Sequence, residues 1–120
     1  MNEQKIDVFS FDLASGASAA TRTFNYTTAT DYKRIRGFYL IRNSGTEYLS
    51  ISISDGSGKD VLKLVNMTHL TVSTSVAIKD RFFVETPIPA AGKVLNINVK
   101  NYATTAAIQS QDLIFLYDNQ

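Results

Sequence analysis

Residues 35–59 read Ile35-Arg-Gly-Phe-Tyr-Leu-Ile-Arg-Asn-Ser-Gly-Thr-Glu-Tyr-Leu-Ser-Ile-Ser-Ile-Ser-Asp-Gly-Ser-Gly-Lys59. Leu49, Ile51 and Ile53 alternate with Ser50, Ser52 and Ser54. A period of two sends the apolar set to one face and the hydroxyls to the other, the pattern of a half-buried strand. Phe38-Tyr39-Leu40-Ile41 does not alternate and suits a strand covered on both faces. Asn43-Ser44-Gly45-Thr46 lies between them, with side chains that bond nearby backbone and a glycine that accepts positive φ. This reading expects a β-hairpin here. A second turn, Asp55-Gly56-Ser57-Gly58, leads to a further strand at Val61–Val65.

Working outward, similar segments recur. Ile6 and Val8, then Phe9, Phe11 and Leu13, form an apolar run whose parity changes at Phe9. Either a bulge keeps both sets on one face, or the strand has two partly covered faces. Ala14–Ala20 is small and polar, a loop. Thr21–Thr28 has strand composition, with Phe24 and Tyr26 on one face. Alternation returns weakly through Leu70, Val72, Val76 and Ile78, and Arg81–Glu85 reads as a short strand. Pro87 and Pro89 place their segment at a sheet edge or in a loop. Ala90–Lys93 is a turn, Val94–Lys100 alternates well, and Asn101–Gln111 is a polar connection. Leu113-Ile114-Phe115-Leu116-Tyr117 is apolar on both faces and belongs inside a sheet. No capped helix with a 3.6-residue stripe is found. About eight strands with Gly-rich turns predict one all-β domain over residues 1–120, an eight-stranded antiparallel sandwich.

Composition narrows the function classes. The chain has 120 residues, a net charge of +1 and scattered basic residues, which argues against a nucleic-acid groove. Cysteine is absent, so there is no disulfide framework and no thiolate metal site. The N-terminus carries acids and lacks the apolar core of a signal peptide, so synthesis in the cytoplasm is expected. No apolar run reaches the roughly 20 residues of a membrane span.

Chemistry is sparse. His69 is the only histidine and reads as a loop or surface residue. Asp55–Asp60 lacks the ligand spacing of a calcium loop and reads as a plain turn. Asn25-Tyr26-Thr27 and Asn66-Met67-Thr68 match glycosylation sequons by coincidence. The six tyrosines are packing residues or, in the alternative, a sugar-stacking platform. No catalytic residue, metal ligand or cofactor is assigned, and the protein is read as not an enzyme.

A two-layer sandwich gives each sheet one dry face, yet Phe38–Ile41, part of Arg81–Val84 and Leu113–Tyr117 are apolar on both. Each such side chain is worth roughly 1.5–3 kcal/mol when buried, so something should cover the second face. The two explanations are the chain's own loops, Ala14–Ala20 or Asn101–Gln111, and a neighbouring subunit. Tyr39, Ile41, Phe83, Ile114 and Leu116 are the interface candidates.

The order of these segments resembles a known group. A doubly apolar strand ending in Arg42-Asn43, the alternating Tyr48–Ser54, the Asp55-Gly-Ser-Gly58 turn, Glu85–Ala90 with its prolines, Gly92–Lys100 and the closing Leu113–Tyr117 are similar to small single jelly-roll virion proteins of bacterial viruses. Notable among these are the penton proteins at the vertices of icosahedral, membrane-containing phages. The likeness lies in strand order and turn placement over the last two-thirds of the chain. It implies a jelly roll, a homo-pentamer in the virion, and contacts to a major capsid protein and a spike protein. The runner-up reading is a carbohydrate-binding β-sandwich module. A small hydrolase ranks third, because nothing supplies an activated nucleophile.

Overall fold

The computed structural model describes residues 4–71, 75–77, 81–82 and 88–119. Eight strands are present among them: β1 (Gln4–Leu13), β2 (Ala20–Thr27), β3 (Arg34–Ser44), β4 (Leu49–Ser54), β5 (Asp60–Asn66), β6 (Ile88–Pro89), β7 (Val94–Asn101) and β8 (Gln109–Asp118). They form two four-stranded sheets, sheet A in the order β1-β8-β3-β6 and sheet B in the order β2-β7-β4-β5.

This order has a simple origin. β1 pairs with β8, β2 with β7, β3 with β6 and β4 with β5, all antiparallel. The chain is one long hairpin folded back at Asp55–Lys59. Rolling that hairpin around a core adds the cross-pairs β3–β8 and β4–β7. The result is a single jelly roll. Nesting also places connections side by side. The β1–β2 loop lies against the β7–β8 loop, with Gly16 N donating to Thr105 O at 2.8 Å and Thr105 N to Ala17 O at 3.0 Å. The β2–β3 loop lies against the β6–β7 loop through Thr28 N to Lys93 O at 2.8 Å and Ala90 N to Lys33 O at 2.9 Å.

The alternating strands behave as their patterns require. Leu49, Ile51 and Ile53 are fully buried, as are Leu95, Ile97 and Val99. Leu113, Phe115 and Tyr117 close the core from sheet A, and Phe115 stacks on Tyr26 at 4.5 Å between ring centroids. β8 lies inside sheet A, as its doubly apolar sequence demands.

Several expectations are corrected. The hairpin across Asn43–Thr46 does not form: β3 belongs to sheet A and β4 to sheet B. The turn chemistry reverses the chain equally well between layers. The doubly apolar β3 pairs with the doubly apolar β8, and the Ser-faced β4 pairs with the Asn-faced β7. Gly45, at φ +87°, makes the crossing. No bulge separates Val8 from Phe9, since β1 holds continuous register with β8 from Gln4 to Leu13. Ile6 and Val8 therefore face outward, while Phe9, Phe11 and Leu13 face the core. Register shifts occur instead in β3, at Ile35/Gly37 and Arg42/Ser44, and in the β4–β5 pairing, at Ile51/Ile53 and Ile53/Ser54. Asn66 caps a short 3-10 turn, Met67–Leu70, accepting from Thr68 N at 3.0 Å and burying Met67 and Leu70. Ser75 and Val76 are turn and bend, and neither Ala77 nor residues 81–82 are in a strand. The rest of the predicted Arg81–Glu85 strand, Phe83 included, and Pro87 lie outside the described residues.

Candidate assembly surface

Register lays out the outer face of sheet A row by row. Ile6 pairs with Leu116, which pairs with Gly37. Val8 pairs with Ile114, and Ile114 with Tyr39. Ser10 pairs with Asp112, and Asp112 with Ile41. The middle of this face is therefore an apolar belt three strands wide.

The interface candidates meet different fates on it. Tyr39 and Ile114 are 7% and 6% exposed. Phe82 covers Tyr39 edge-on, with ring centroids 4.9 Å apart. The cover is thus the chain's own β5–β6 connection, not the Ala14–Ala20 or Asn101–Gln111 loops, which are held against each other at one end of the sandwich. Ile41 stays 38% exposed and Leu116 is half-buried. Phe83 falls outside the described residues. Sequence reading missed Ile6 and Val8, which are 51% and 52% exposed. The parity change at Phe9 was the available signal; without a bulge it sends both to the outer face.

The belt has polar boundaries. At one end Asp118, almost fully buried, accepts from Arg34 Nε at 2.5 Å and from Arg36 Nη1 at 3.2 Å. The β3 bulge supplies Arg36 as an extra residue, and the carboxylate holds the Arg34 guanidinium protonated, above its usual range. At the other end Ser10 Oγ donates to Asp112 Oδ1 at 2.6 Å.

Beside Ile41 an open groove of about 430 Å³ runs past Tyr39, Arg42, Gly45, Thr68 and Arg81. Arg42 forms its inner wall, donating to Glu47 O at 2.8 Å and to Gln109 Oε1 at 2.7 Å. Burial pulls its guanidinium pKa down, and the charge of Glu47 opposes that. Gln109 in turn donates to Glu47 Oε2 at 2.7 Å. This network clamps the β3–β4 crossing, and a Cβ on Gly45 would lie 2.1 Å from Gln109 Oε1.

The remaining chemistry is ordinary. Asp55 Oδ1 accepts from Ser57 Oγ, Ser57 N and Lys59 N at 2.7, 2.9 and 3.0 Å, bonds that hold its pKa below the usual carboxylate range. It is a turn-forming residue. His69 is exposed on the 3-10 turn. Tyr48 and Tyr102 meet edge to face at 4.9 Å on the surface, 58% and 47% exposed, and Lys100 Nζ lies 4.9 Å from the Tyr102 ring centre. Among the described residues no three His, Cys, Asp or Glu side chains are grouped to hold a metal ion. No described helix is long and apolar enough to cross a membrane. The chain matches no family model, no curated protein and no solved structure.

Proposed function

We propose that this protein is a structural virion component, a penton/vertex or capsid-decorating jelly roll that works by protein–protein contact and turns nothing over. The observation that carries the reading is the outer face of sheet A, where Ile6, Val8 and Ile41 remain exposed around the buried Tyr39 and Ile114. Exposed apolar patches larger than an ordinary monomer carries mark interaction sites. The other broad face, on sheet B, is Ser, Thr and Asn on β2, β7 and β4, with Leu64 of β5 its exposed aliphatic side chain. The jelly-roll topology and the likeness in strand order support the viral assignment. On that reading the partners are further copies of the chain, arranged as a pentamer, a major capsid protein and a spike protein. The site of action is the virion.

The test is composition of purified particles. Mass spectrometry of gradient-purified virions should find the protein at a fixed ratio to the major capsid protein, in multiples of five per vertex. Ile41→Asp and Val8→Asp should lower its incorporation while leaving the isolated domain folded. Its absence from washed particles overturns the proposal.

A second reading, a carbohydrate-binding module, is favoured by one observation, the exposed Tyr48–Tyr102 pair beside Lys100. Against it, Lys100 and the Tyr48 edge already engage the Tyr102 ring, which leaves less open π-face for a sugar. A glycan array run with and without calcium separates the two readings; binding abolished by Tyr102→Ala favours the module.

A further inference from the structure

β1 is an edge strand. It spans ten residues in unbroken register with β8, and among the described residues no strand pairs with its other side. Natural edges are blunted by proline, bulges, brevity, a covering segment or charged side chains, the last of which stop blunting when a partner strand brings opposite charges across from them. β1 has neither proline nor bulge and is long. What it does carry is charge, arranged symmetrically about one residue: Lys5, Ile6, Asp7.

We propose that β1 pairs antiparallel with β1 of a second copy about a two-fold axis at Ile6, joining two copies of sheet A into one continuous sheet. A two-fold contact must be self-complementary, and register decides whether this one is. Strand pairing must also match faces, so only registers centred on a residue qualify. Centred on Ile6, each Lys5 faces Asp7 of the other copy, giving two opposite-charge pairs, and the exposed Ile6 side chains meet each other. Centred on Asp7, two carboxylates face each other. Centred on Val8, Lys5 faces Phe11 and no charges pair. Centred on Phe9, Lys5 faces Leu13 and Ile6 faces Asp12. Directly opposed pairs of opposite charge stabilise a ladder and like pairs destabilise it, so the Ile6 register is selected.

The local geometry agrees. Lys5 is exposed, with its ammonium 5.9 Å from the Tyr32 ring centre. Asp7 is half-buried and accepts from Tyr26 Oη through Oδ2 at 2.6 Å, which fixes the carboxylate beside the free edge. The contact removes Ile6 from water and brings the exposed Val8 across from Gln4 of the other copy. It goes beyond the assembly reading above, since a two-fold contact is distinct from the heterologous contacts that close a five-fold ring, and it holds whether or not the particle is viral.

The absence of cysteine makes the test clean. Residues opposed across antiparallel strands have Cβ atoms about 4.5–5.5 Å apart, so Ile6→Cys should form a disulfide-linked dimer under mild oxidation. Ser10→Cys should not, because centring on Ile6 separates the two Ser10 positions by about 27 Å at about 3.4 Å per residue. Adding Lys5→Asp to Ile6→Cys should suppress the crosslink and weaken self-association in sedimentation by roughly tenfold. Circular dichroism of each variant checks that the sandwich is retained. Three results each overturn the proposal: Ile6→Cys that stays uncrosslinked while folded, equal crosslinking at Ser10→Cys, or crosslinking indifferent to Lys5→Asp. Particle incorporation is a separate readout, so failure here leaves the virion reading to its own test.

Discussion

The two sheets both bury apolar inner faces and present different outer ones. Outside sheet B stand Thr21, Thr23, Asn25 and Thr27 on β2, Asn96, Asn98 and Lys100 on β7, and Ser50, Ser52 and Ser54 on β4. These groups bond among themselves, as Thr23 Oγ1 does to Asn98 Oδ1 at 2.8 Å and Tyr102 Oη to Ser50 Oγ at 3.0 Å. Outside sheet A stand Ile6, Val8, Ile114, Leu116, Tyr39 and Ile41. A jelly roll needs only one apolar face per sheet. Sheet B exceeds that minimum on its edge strand β5, where Leu64 is exposed, whereas sheet A carries apolar outer residues on β1, β8 and β3. Part of that excess, Tyr39 and Ile114, is buried within the chain itself, while Ile6, Val8 and Ile41 stay exposed.

The comparison can be broken most severely from beneath. Phe115 is fully buried and stacked on Tyr26, so both faces rest on it. Phe115→Ala should cost about 3–5 kcal/mol and shift the urea midpoint strongly, with both sheets lost in one transition. A smaller effect is expected at the crossing between sheets. Gly45→Ala demands φ +87° of a residue with a Cβ and drives that Cβ into Gln109. It should cost about 2 kcal/mol, and amide exchange should show the Glu47–Gln109 network opening first.

Alkaline pH tests the seam between sheets. Tyr26 on sheet B donates to Asp7 and shares a short hydrogen bond with Tyr117 on sheet A. Burial, chiefly, raises both phenol pKa values, with the Asp7 bond adding to the effect at Tyr26. A raised pKa means the folded state holds its protons longer than the unfolded state. Their contribution is therefore complete below about pH 10, the unfolded phenol value, and falls as pH rises above it. Tyr26→Phe should flatten the alkaline limb of a thermal-stability profile between pH 9 and 11. An unchanged limb would contradict this role.

The smallest change in stability should come from the outer faces themselves, and it sharpens the contrast. Val8→Thr and Ile41→Thr should each alter stability by no more than about 0.5 kcal/mol while lowering concentration-dependent association in light scattering. Ile97→Thr, one layer inward, should destabilise by about 2 kcal/mol or more with little effect on association per folded molecule. If Val8→Thr proves as damaging as Ile97→Thr, the outer belt of sheet A is structural.

The reversals at Asp55–Lys59 and Ala90–Lys93 are where the local reading survived, the first because its hydrogen bonds close within the turn itself. Asn43–Thr46 was misread because its turn chemistry is indifferent to where the next strand finds a partner. The bulge expected at Val8/Phe9 failed for a related reason. Parity alone cannot separate a bulged strand with one dry face from a regular strand with two, and only the unbroken pairing with β8 resolves it. Of the interface candidates, Ile41 and Leu116 kept exposed surface. Tyr39 and Ile114 did not, and for Tyr39 the covering ring, Phe82, arrives from about forty residues away along the chain.

By itself the sequence determined that this is a cysteine-free, all-β domain with alternating strands, Gly-rich turns and more apolar strand surface than one core absorbs. Those properties follow from period-two patterning and turn residues, which act over a few positions. Tertiary structure alone decided the partners: β3 with β8 and not β4, Phe82 over Tyr39, and Ile6 and Val8 turned outward at an open edge. Pairing between distant segments is set by how faces match once the hairpin rolls up, and no local window of the chain contains that match.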